Sequence, residues 1–218
     1  MAKKKNSTST DIISYYMEYT LEHNAAPESV YIFAKKYNFV EEIFYKYFGN
    51  FEALEQIIFK TFFDNTITML EKSDDYQSYD SRNKMLSFYY SFFELLTANR
   101  SYVVYALDSN KKNLKKLQSL QRLKHSFTNY VESLDITLLE IKQETLDKIQ
   151  STTLKESAWL QLLLTMKYWL DDTSPSFERT DVFIEKAVNT SFDVLNIKPL
   201  KSIIDLGKFL YKDKTFMN

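Results

Sequence analysis

The sequence predicts an all-α fold, and two features of the chain support this prediction. The 218 residues include only two Gly and three Pro, whereas a sheet-rich fold uses many of both in its turns. Hydrophobic residues make up 44% of the chain and recur at helical spacing, which is enough for a packed helical core. No apolar run approaches the roughly 20 residues that a membrane-spanning helix needs. We therefore expect a helical protein of the cytoplasm.

Residues suited to catalysis or metal binding are scarce in this chain. It has no Cys, which excludes disulfides, thiolate metal sites and cysteine nucleophiles. His23 and His125 lie in different predicted segments without metal-ligand spacing, and two distant glycines cannot form a phosphate-binding loop. The net charge of −1 gives the whole chain no strong field for nucleic acid. These features predict a protein that is not an enzyme and has neither a cofactor nor a metal site.

The N-terminal part of the chain predicts three short helices followed by a long one. The first is expected to begin at a Ser9 or Thr10 cap, and Pro27 is well placed at the start of the second. Asn38 suits a tight turn before the third helix because Asn tolerates left-handed backbone. Asn50 is expected to cap the long fourth helix. The predicted ranges are about 10–23, 27–36, 41–47 and 51–72.

The remainder of the chain predicts further amphipathic helices after a polar break at 73–79. Asp80 and Ser81 are the expected caps of the first of them, which ends at Asn99. The acidic stretch that ends in Pro175 is expected to separate two strong helices, and Pro199 opens the last one. The predicted ranges are about 81–98, 102–107, 110–131, 137–150, 155–171, 177–195 and 199–212.

Residues 29–54, SVYIFAKKYNFVEEIFYKYFGNFEAL, carry the most informative pattern. They resemble the helix-turn-helix motif of TetR-family transcriptional regulators, whose usual form reads roughly T-x-x-x-IA-x-x-x-GVS-x-x-T-LY-x-YF-x-S-K-E-x-L. The corresponding residues follow without a gap: Phe33-Ala34 for IA, Asn38 for the turn Gly, Phe39 for Val, Phe44-Tyr45 for LY, Tyr47-Phe48 for YF, and Glu52 and Leu54 for E-x-L. The resemblance implies a DNA-binding head at 1–52 and a helical ligand-binding and dimerisation domain at 53–218.

In that family the third helix enters the DNA major groove, so the resemblance also implies which residues contact DNA. Tyr45 and Tyr47 correspond to phosphate contacts, although packing in the three-helix core is an alternative for Tyr45. The other expected contacts are Lys35, Lys36 and Lys46, which could neutralise phosphate charge, and Glu41, Glu42 and Ile43 at the base-reading positions. Lys3, Lys4 and Lys5 form either a basic arm on DNA or a solubilising tail.

Several positions at the expected DNA surface depart from the family pattern. Val40 replaces the capping Ser, Ile43 replaces the base-contacting Thr, and Phe51 replaces a phosphate-binding Lys. Glu41 and Glu42 would face a polyanion, and residues 1–60 carry seven Lys against eight acidic residues. Two hypotheses follow. The first is a ligand-responsive, DNA-binding repressor, and the second is a TetR-fold protein that has lost DNA binding and holds an apolar lipid or isoprenoid-like ligand for a partner protein.

The C-terminal helices carry the residues expected to bind a ligand and a second subunit. By the resemblance, a hydrophobic effector would be enclosed by aromatic side chains, for which plain core packing is the alternative: Phe88, Phe92, Tyr102, Tyr105, Phe127, Tyr130 and Trp159. A homodimer would form through the last strong helices, for which the core of a single chain is the alternative: Leu160, Leu163, Leu164, Phe183, Ile184, Ala187, Val188 and Ser191.

Overall fold

The structure is a computed structural model that describes residues 6–107, 118–136 and 144–196. Within these ranges the chain forms ten α-helices and no β-strand, which confirms the predicted all-α class. The helices are α1 (Ser9–His23), α2 (Val30–Lys36), α3 (Glu41–Tyr47), α4 (Phe51–Leu70), α5 (Asp74–Ser78), α6 (Ser81–Ala98), α7 (Arg100–Ala106), α8 (Gln121–Ser133), α9 (Glu144–Asp171) and α10 (Glu178–Asn196).

The chain forms two compact units, and each contains more than one stretch of sequence. The first unit joins Met1–Leu70 to Ser91–Phe127, and the second joins Glu71–Tyr90 to Thr128–Asn218. Helix α1 packs against α3 and α7 in the first unit, and α9 packs against α10 in the second. The expected DNA-binding head at 1–52 therefore lies wholly within the first unit.

The starts of α1 and α2 differ from the sequence prediction. Thr8, and neither Ser9 nor Thr10, caps α1: its hydroxyl accepts from the Asp11 backbone N–H at 3.2 Å while Asp11 accepts from the Thr8 N–H at 2.8 Å. This reciprocal pair satisfies two backbone donors and fixes the first turn. Pro27 does not open α2, because Ser29 caps it by accepting from the Ile32 N–H at 3.2 Å.

The turn between α2 and α3 and the start of α4 follow the sequence prediction. Asn38 has a φ of 57°, the left-handed backbone that Asn tolerates. Helix α3 begins at Glu41 after Val40, whose side chain makes no capping hydrogen bond. Asn50 caps α4 by accepting from the Ala53 N–H at 2.7 Å. The helix-turn-helix geometry is therefore set by the residues that the motif supplies.

Two segments after α4 differ from the prediction. The expected polar break at 73–79 contains the short helix α5, which buries Tyr76. The predicted helices at 137–150 and 155–171 are one helix from residue 144 onward, because 151–154 continue α9 without a break. Residues 110–117, 137–143 and the expected last helix at 199–212 lie outside the described residues.

The first unit has an aromatic core centred on Phe33. Its ring is fully buried and lies against rings from four different segments, among them Phe39 at 5.5 Å, Phe44 at 6.4 Å and Phe51 at 5.8 Å between centroids. Tyr16 on α1 meets the same ring edge-on at 6.3 Å, and its hydroxyl donates to Glu55 on α4 at 2.7 Å. Such edge-to-face pairs stabilise beyond their buried area. This cluster therefore fixes α2 and α3 relative to α1 and α4.

The link between α9 and α10 is organised by the carboxylate of Asp172. One oxygen accepts from the Ser174 N–H at 2.8 Å and hydroxyl at 2.7 Å, and the other accepts from the Thr180 N–H at 3.0 Å and hydroxyl at 2.7 Å. Burial alone would raise the pKa of Asp172, but these four hydrogen bonds outweigh burial and lower its pKa to about 2. The ionised form is therefore the one that holds the start of α10.

Replacing Asp172 should change how stability depends on pH. Its pKa in the folded chain, about 2, lies below that of an unfolded aspartate, about 3.9. The stabilisation is therefore complete above about pH 4 and is lost as the pH falls toward 2. We expect Asp172→Asn to lower the free energy of unfolding at pH 7, and we expect the difference from wild type to shrink toward pH 2. Urea denaturation followed by circular dichroism at several pH values would measure this.

Asp171→Asn is the matched control, since Asp171 is exposed and, among the described residues, its carboxylate forms an ion pair with Lys167 one turn away, at 2.7 Å. The same pH profile in both variants would show that the Asp172 hydrogen bonds do not stabilise the link.

Candidate functional site

The outer surface of α2 and α3 carries the side chains expected to contact DNA. Tyr45 is 54% exposed and Tyr47 is 37% exposed, whereas the adjacent Phe44 and Phe48 are buried in the core. Tyr45 therefore lies on the surface, and the alternative that it packs in the three-helix core is wrong. The ring of Tyr45 packs edge-on against the buried ring of Phe44, with 5.5 Å between the centroids. Both tyrosine side chains are accessible on the surface of one short helix.

The lysines of this surface differ in the contacts that their ammonium groups make with other described residues. Lys36 is engaged within the first unit, because its ammonium lies 2.5 Å from Glu22 and 4.8 Å from the ring centroid of Tyr19. The hydrogen bond from Lys36 lowers the pKa of Glu22, so the pair is charged at neutral pH. Lys35 is exposed and forms no ion pair with any described residue, and Lys46 lies over the ring of Tyr47 at 5.5 Å. Lys35 and Lys46 are the better placed cations.

The first turn of α3 is acidic and open to solvent. Glu42 is exposed, while Glu41 and Ile43 are half-buried, and no described basic residue forms an ion pair with either glutamate. Negative charge is favourable at a helix N-terminus, where the backbone N–H groups of α3 lack a side-chain cap. The expected basic tail, Lys3 to Lys5, lies outside the described residues. The described surface is thus mixed in charge, with acids at the start of α3 and a lysine at its end.

The second unit contains an apolar cavity of about 280 Å³ between α6, α8, α9 and α10. Its wall is formed mostly by aliphatic and aromatic side chains, with a few hydroxyl groups and one side-chain amide. The lining residues are Met85, Tyr89, Val131, Ile136, Leu154, Ser157, Ala158, Gln161, Val188, Thr190, Ser191, Phe192, Val194 and Leu195. Small cavities with apolar walls and few polar groups are typical of binding sites for small molecules.

Gln161 and Ser191 form the polar part of the cavity wall. The Ser191 hydroxyl lies 2.7 Å from Oε1 of Gln161 and 2.9 Å from the Ala187 carbonyl oxygen one turn earlier in α10. Arg82 on α6 contacts α10 next to the cavity. It donates to Asp193 at 2.7 Å and lies 5.5 Å from the ring centroid of Phe192, a lining residue. The cavity wall is therefore anchored by side-chain contacts between helices.

The aromatic residues expected to enclose the ligand do not line this cavity. Phe88 and Trp159 are buried in the second unit, and Tyr130 donates to the Lys84 carbonyl oxygen at 3.0 Å and lies 2.9 Å from the Tyr76 hydroxyl. Phe92, Tyr102 and Phe127 are buried in the first unit. Their burial agrees with the alternative of core packing, and a role of these residues in ligand binding stays a prediction.

Tyr105, the remaining residue of that set, lines a separate cleft in the first unit. This cleft encloses about 580 Å³, and the charged side chains of its wall are Glu28, Glu52 and Glu55. None of its lining residues is basic, and the carboxylate of Glu55 accepts from Tyr16. It is the larger of the two spaces, but three carboxylates make it unsuited to an apolar ligand.

The residues expected at a dimer interface fall into two groups. Leu160 is 56% exposed and Leu164 is 52% exposed, and they lie one turn apart on α9. The half-buried Phe183 stacks on the exposed Tyr168, with ring centroids 4.5 Å apart. Ile184 and Val188 are buried within the single chain, which agrees with the alternative that they belong to its core. Leu163 and Ala187 are half-buried, and Ser191 lines the cavity.

Comparison with protein families identifies the C-terminal half of the chain. Residues 84–210, more than half of the sequence, match the tetracyclin repressor-like C-terminal domain. The chain belongs to the TetR family. The match is independent of the N-terminal motif, and it includes every residue that lines the cavity of the second unit. The protein is thus an all-α, TetR-like regulator in its general class. A comparison with curated proteins gave no match.

TetR-family proteins typically bind DNA and small-molecule effectors as dimers. Within the described part of this chain, no helix is long and apolar enough to cross a membrane. The same residues contain no group of three or more His, Asp or Glu side chains placed to hold a metal ion.

The cavity could have been suspected from one feature of the sequence. Gln161 is the single polar residue between Trp159 and Leu164, and it sits on the half-buried side of α9. A polar residue in an apolar run indicates a specific partner, here Ser191. No pattern in the sequence pointed to the other lining residues, because small and aliphatic side chains are equally common in a filled core.

Proposed function

We infer that the protein is a ligand-responsive TetR-family transcriptional regulator that binds DNA as a homodimer through α2 and α3. The observation that carries this proposal is the surface of α3, where Tyr45 and Tyr47 stand exposed next to Lys46 at the positions of the family's phosphate contacts. Phosphate contacts position a protein on DNA, and base contacts specify the sequence. Glu41 and Glu42 carry the same sign of charge as phosphate, so in this proposal they contact bases and accept from cytosine amino groups.

The effector in this proposal occupies the apolar cavity of the second unit. Ligand binding can alter DNA binding only if the ligand prefers one arrangement of the dimer over the other. The proposed domains are a DNA-binding head at 1–52 and a ligand-binding and dimerisation region at 53–218. The proposed dimer interface is the exposed apolar surface of Leu160, Leu164 and Tyr168 on α9 with Val182 on α10.

The acidic first turn of α3 favours a second candidate function, a TetR-fold protein that has lost DNA binding and holds an apolar lipid for a partner protein. Glu42 is exposed and Lys36 is already paired with Glu22. Residues 6–52 carry three Lys against seven acidic residues, so the described head has a net negative charge, which disfavours binding to a polyanion. The cavity of about 280 Å³ argues against this candidate, since it lies at the small end of ligand sites and would not enclose a long isoprenoid chain. Mass spectrometry of an organic extract of the pure protein would detect such a lipid.

The Tyr45→Phe/Tyr47→Phe double variant tests the proposed DNA surface. Loss of two hydroxyl groups that bond to charged phosphates should raise the Kd for DNA by about a hundredfold or more, since each such bond contributes about 1.5–3 kcal/mol. The slope of log Kd against log salt should stay the same, because no charge is removed. Lys46→Gln should weaken binding and also reduce that slope by about one. Fluorescence anisotropy at several salt concentrations measures both quantities.

Tyr79→Phe is the control, because it removes the same hydroxyl from an exposed tyrosine of the second unit. An unchanged Kd in the double variant would show that α3 does not contact phosphates through these residues.

A further inference from the structure

Among the described residues, the wall of the cavity in the second unit carries no carboxylate, ammonium, guanidinium or imidazole group. Its fourteen lining residues include no Asp, Glu, Lys, Arg or His. Its single phenol, Tyr89, stays protonated because burial raises its pKa above the ordinary value. Two ion pairs are formed by neighbours of the lining residues, Arg82 with Asp193 at 2.7 Å and Lys155 with Glu132 at 3.2 Å, and in each pair the two charges neutralise each other. An ionised ligand would therefore enter without a counter-charge, which is strongly unfavourable in an apolar environment.

The side-chain amide of Gln161 is the polar group best placed to orient a ligand. Its Oε1 is engaged by the Ser191 hydroxyl at 2.7 Å, which fixes the amide plane against α10. No described residue accepts a hydrogen bond from its NH₂ group, and Gln161 lines the cavity. A ligand that fills the cavity displaces water from this NH₂ group, so a ligand that supplies an acceptor to it is favoured over one that does not.

We propose that the cavity takes an uncharged, mostly apolar ligand that carries a hydrogen-bond acceptor such as a carbonyl oxygen, and that the Gln161 amide donates to this acceptor. This inference rests on the proposed function, because it names the chemical class of the effector that the cavity would hold. Gln161 is then a specificity-determining residue, and Ser191 is a positioning residue that acts through it. The apolar wall contributes affinity through buried area, and the amide discriminates between ligands of equal shape.

Three naphthalene probes of matched shape separate these contributions. The ketone 2-acetylnaphthalene carries one acceptor, 2-isopropenylnaphthalene has a methylene group in place of its oxygen, and 2-naphthoate carries a negative charge. Titration calorimetry with the full chain, without DNA, gives the Kd of each. We expect the ketone to bind about tenfold more tightly than its hydrocarbon analogue. We expect no measurable binding of the carboxylate, because the wall offers it no cation.

Gln161→Met tests the role of the amide while keeping the length and much of the volume of the side chain. It should remove the preference for the ketone and leave the Kd of the hydrocarbon within about twofold of wild type. Gln118→Met is the matched control, since Gln118 is exposed and lines only the acidic cleft of the first unit. If Gln161→Met does not fold, Ser191→Ala provides the second test, because freeing the amide should reduce the preference for the ketone.

The outcomes distinguish the inference from the proposed function. Equal binding of ketone and hydrocarbon, or tight binding of the carboxylate, would overturn the ligand class and leave the cavity as the effector site. Binding of none of the three probes would overturn the cavity as a ligand site, and the effector part of the proposed function with it. A preference for the ketone that is lost in Gln161→Met and kept in Gln118→Met would support both. Failure to bind DNA would count against the proposed function without affecting these titrations.

Discussion

Phe33→Ala is expected to destabilise the chain by about 3–5 kcal/mol and to abolish DNA binding. The Phe33 ring is fully buried and lies against six other aromatic rings from α1, α3, α4 and the α2–α3 turn. Removing it leaves a cavity at the point where these segments meet, so α3 loses the support that orients its outer surface. Urea denaturation gives the stability, and anisotropy gives the affinity for DNA.

Tyr31→Ala is the matched control, because Tyr31 lies on the same helix and is 61% exposed. We expect its free energy of unfolding to stay within about 0.5 kcal/mol of wild type. Phe33→Leu keeps an apolar side chain at the site and should lose less than the alanine variant, which covers the case in which Phe33→Ala does not fold. Equal stability of Phe33→Ala and Tyr31→Ala would show that this aromatic cluster does not hold the head together.

Leu160→Lys combined with Leu164→Lys should convert the proposed dimer into a monomer and eliminate tight DNA binding. These leucines form an exposed apolar strip one helical turn apart, on a helix whose opposite side is buried through Trp159, Leu162 and Trp169. Central interface residues contribute about 2 kcal/mol or more each, so the dimer Kd should rise by about a thousandfold. Analytical ultracentrifugation over a range of concentrations would measure the change.

Leu21→Lys is the control for this variant, since Leu21 is the exposed leucine of α1 in the first unit. It should leave the dimer Kd unchanged. A double variant that remains dimeric at the same concentration as wild type would place the interface elsewhere on the molecule.

The head of the protein was largely predictable because its local signals agree with one another. The left-handed Asn38 and the Asn50 cap follow from residue types that favour these local conformations, and they delimit α3 although Val40 does not cap it. The start of α2 was misplaced because Pro27 and Ser29 both suit a helix start, and only Ser29 is positioned to bond to the Ile32 N–H. Local chemistry thus limits a boundary to a few residues, and the tertiary arrangement chooses among them.

The ligand site was much less predictable, for a physical reason. Phe88, Phe92 and Phe127 are aromatic residues of the kind that often line pockets, yet all three are buried in the cores. Empty space arises instead where small side chains such as Ser157 and Ala158 on α9 face α10. Helical periodicity shows that a residue belongs to an apolar face of its helix. Ile184 and Leu160 both belong to such faces, yet Ile184 is buried and Leu160 is exposed. Which apolar face meets the core depends on the packing of whole helices.

The central claim, that the α2–α3 surface binds DNA, is tested most directly by fluorescence anisotropy. The purified dimer would be titrated with DNA from its own upstream region and with an unrelated duplex of equal length, at a low and a physiological salt concentration. We predict tighter binding to the upstream DNA at both, with affinity falling as salt rises because phosphate contacts release counterions. No binding to either duplex at low salt, with the dimer intact, would contradict the claim and leave the head as a scaffold without DNA.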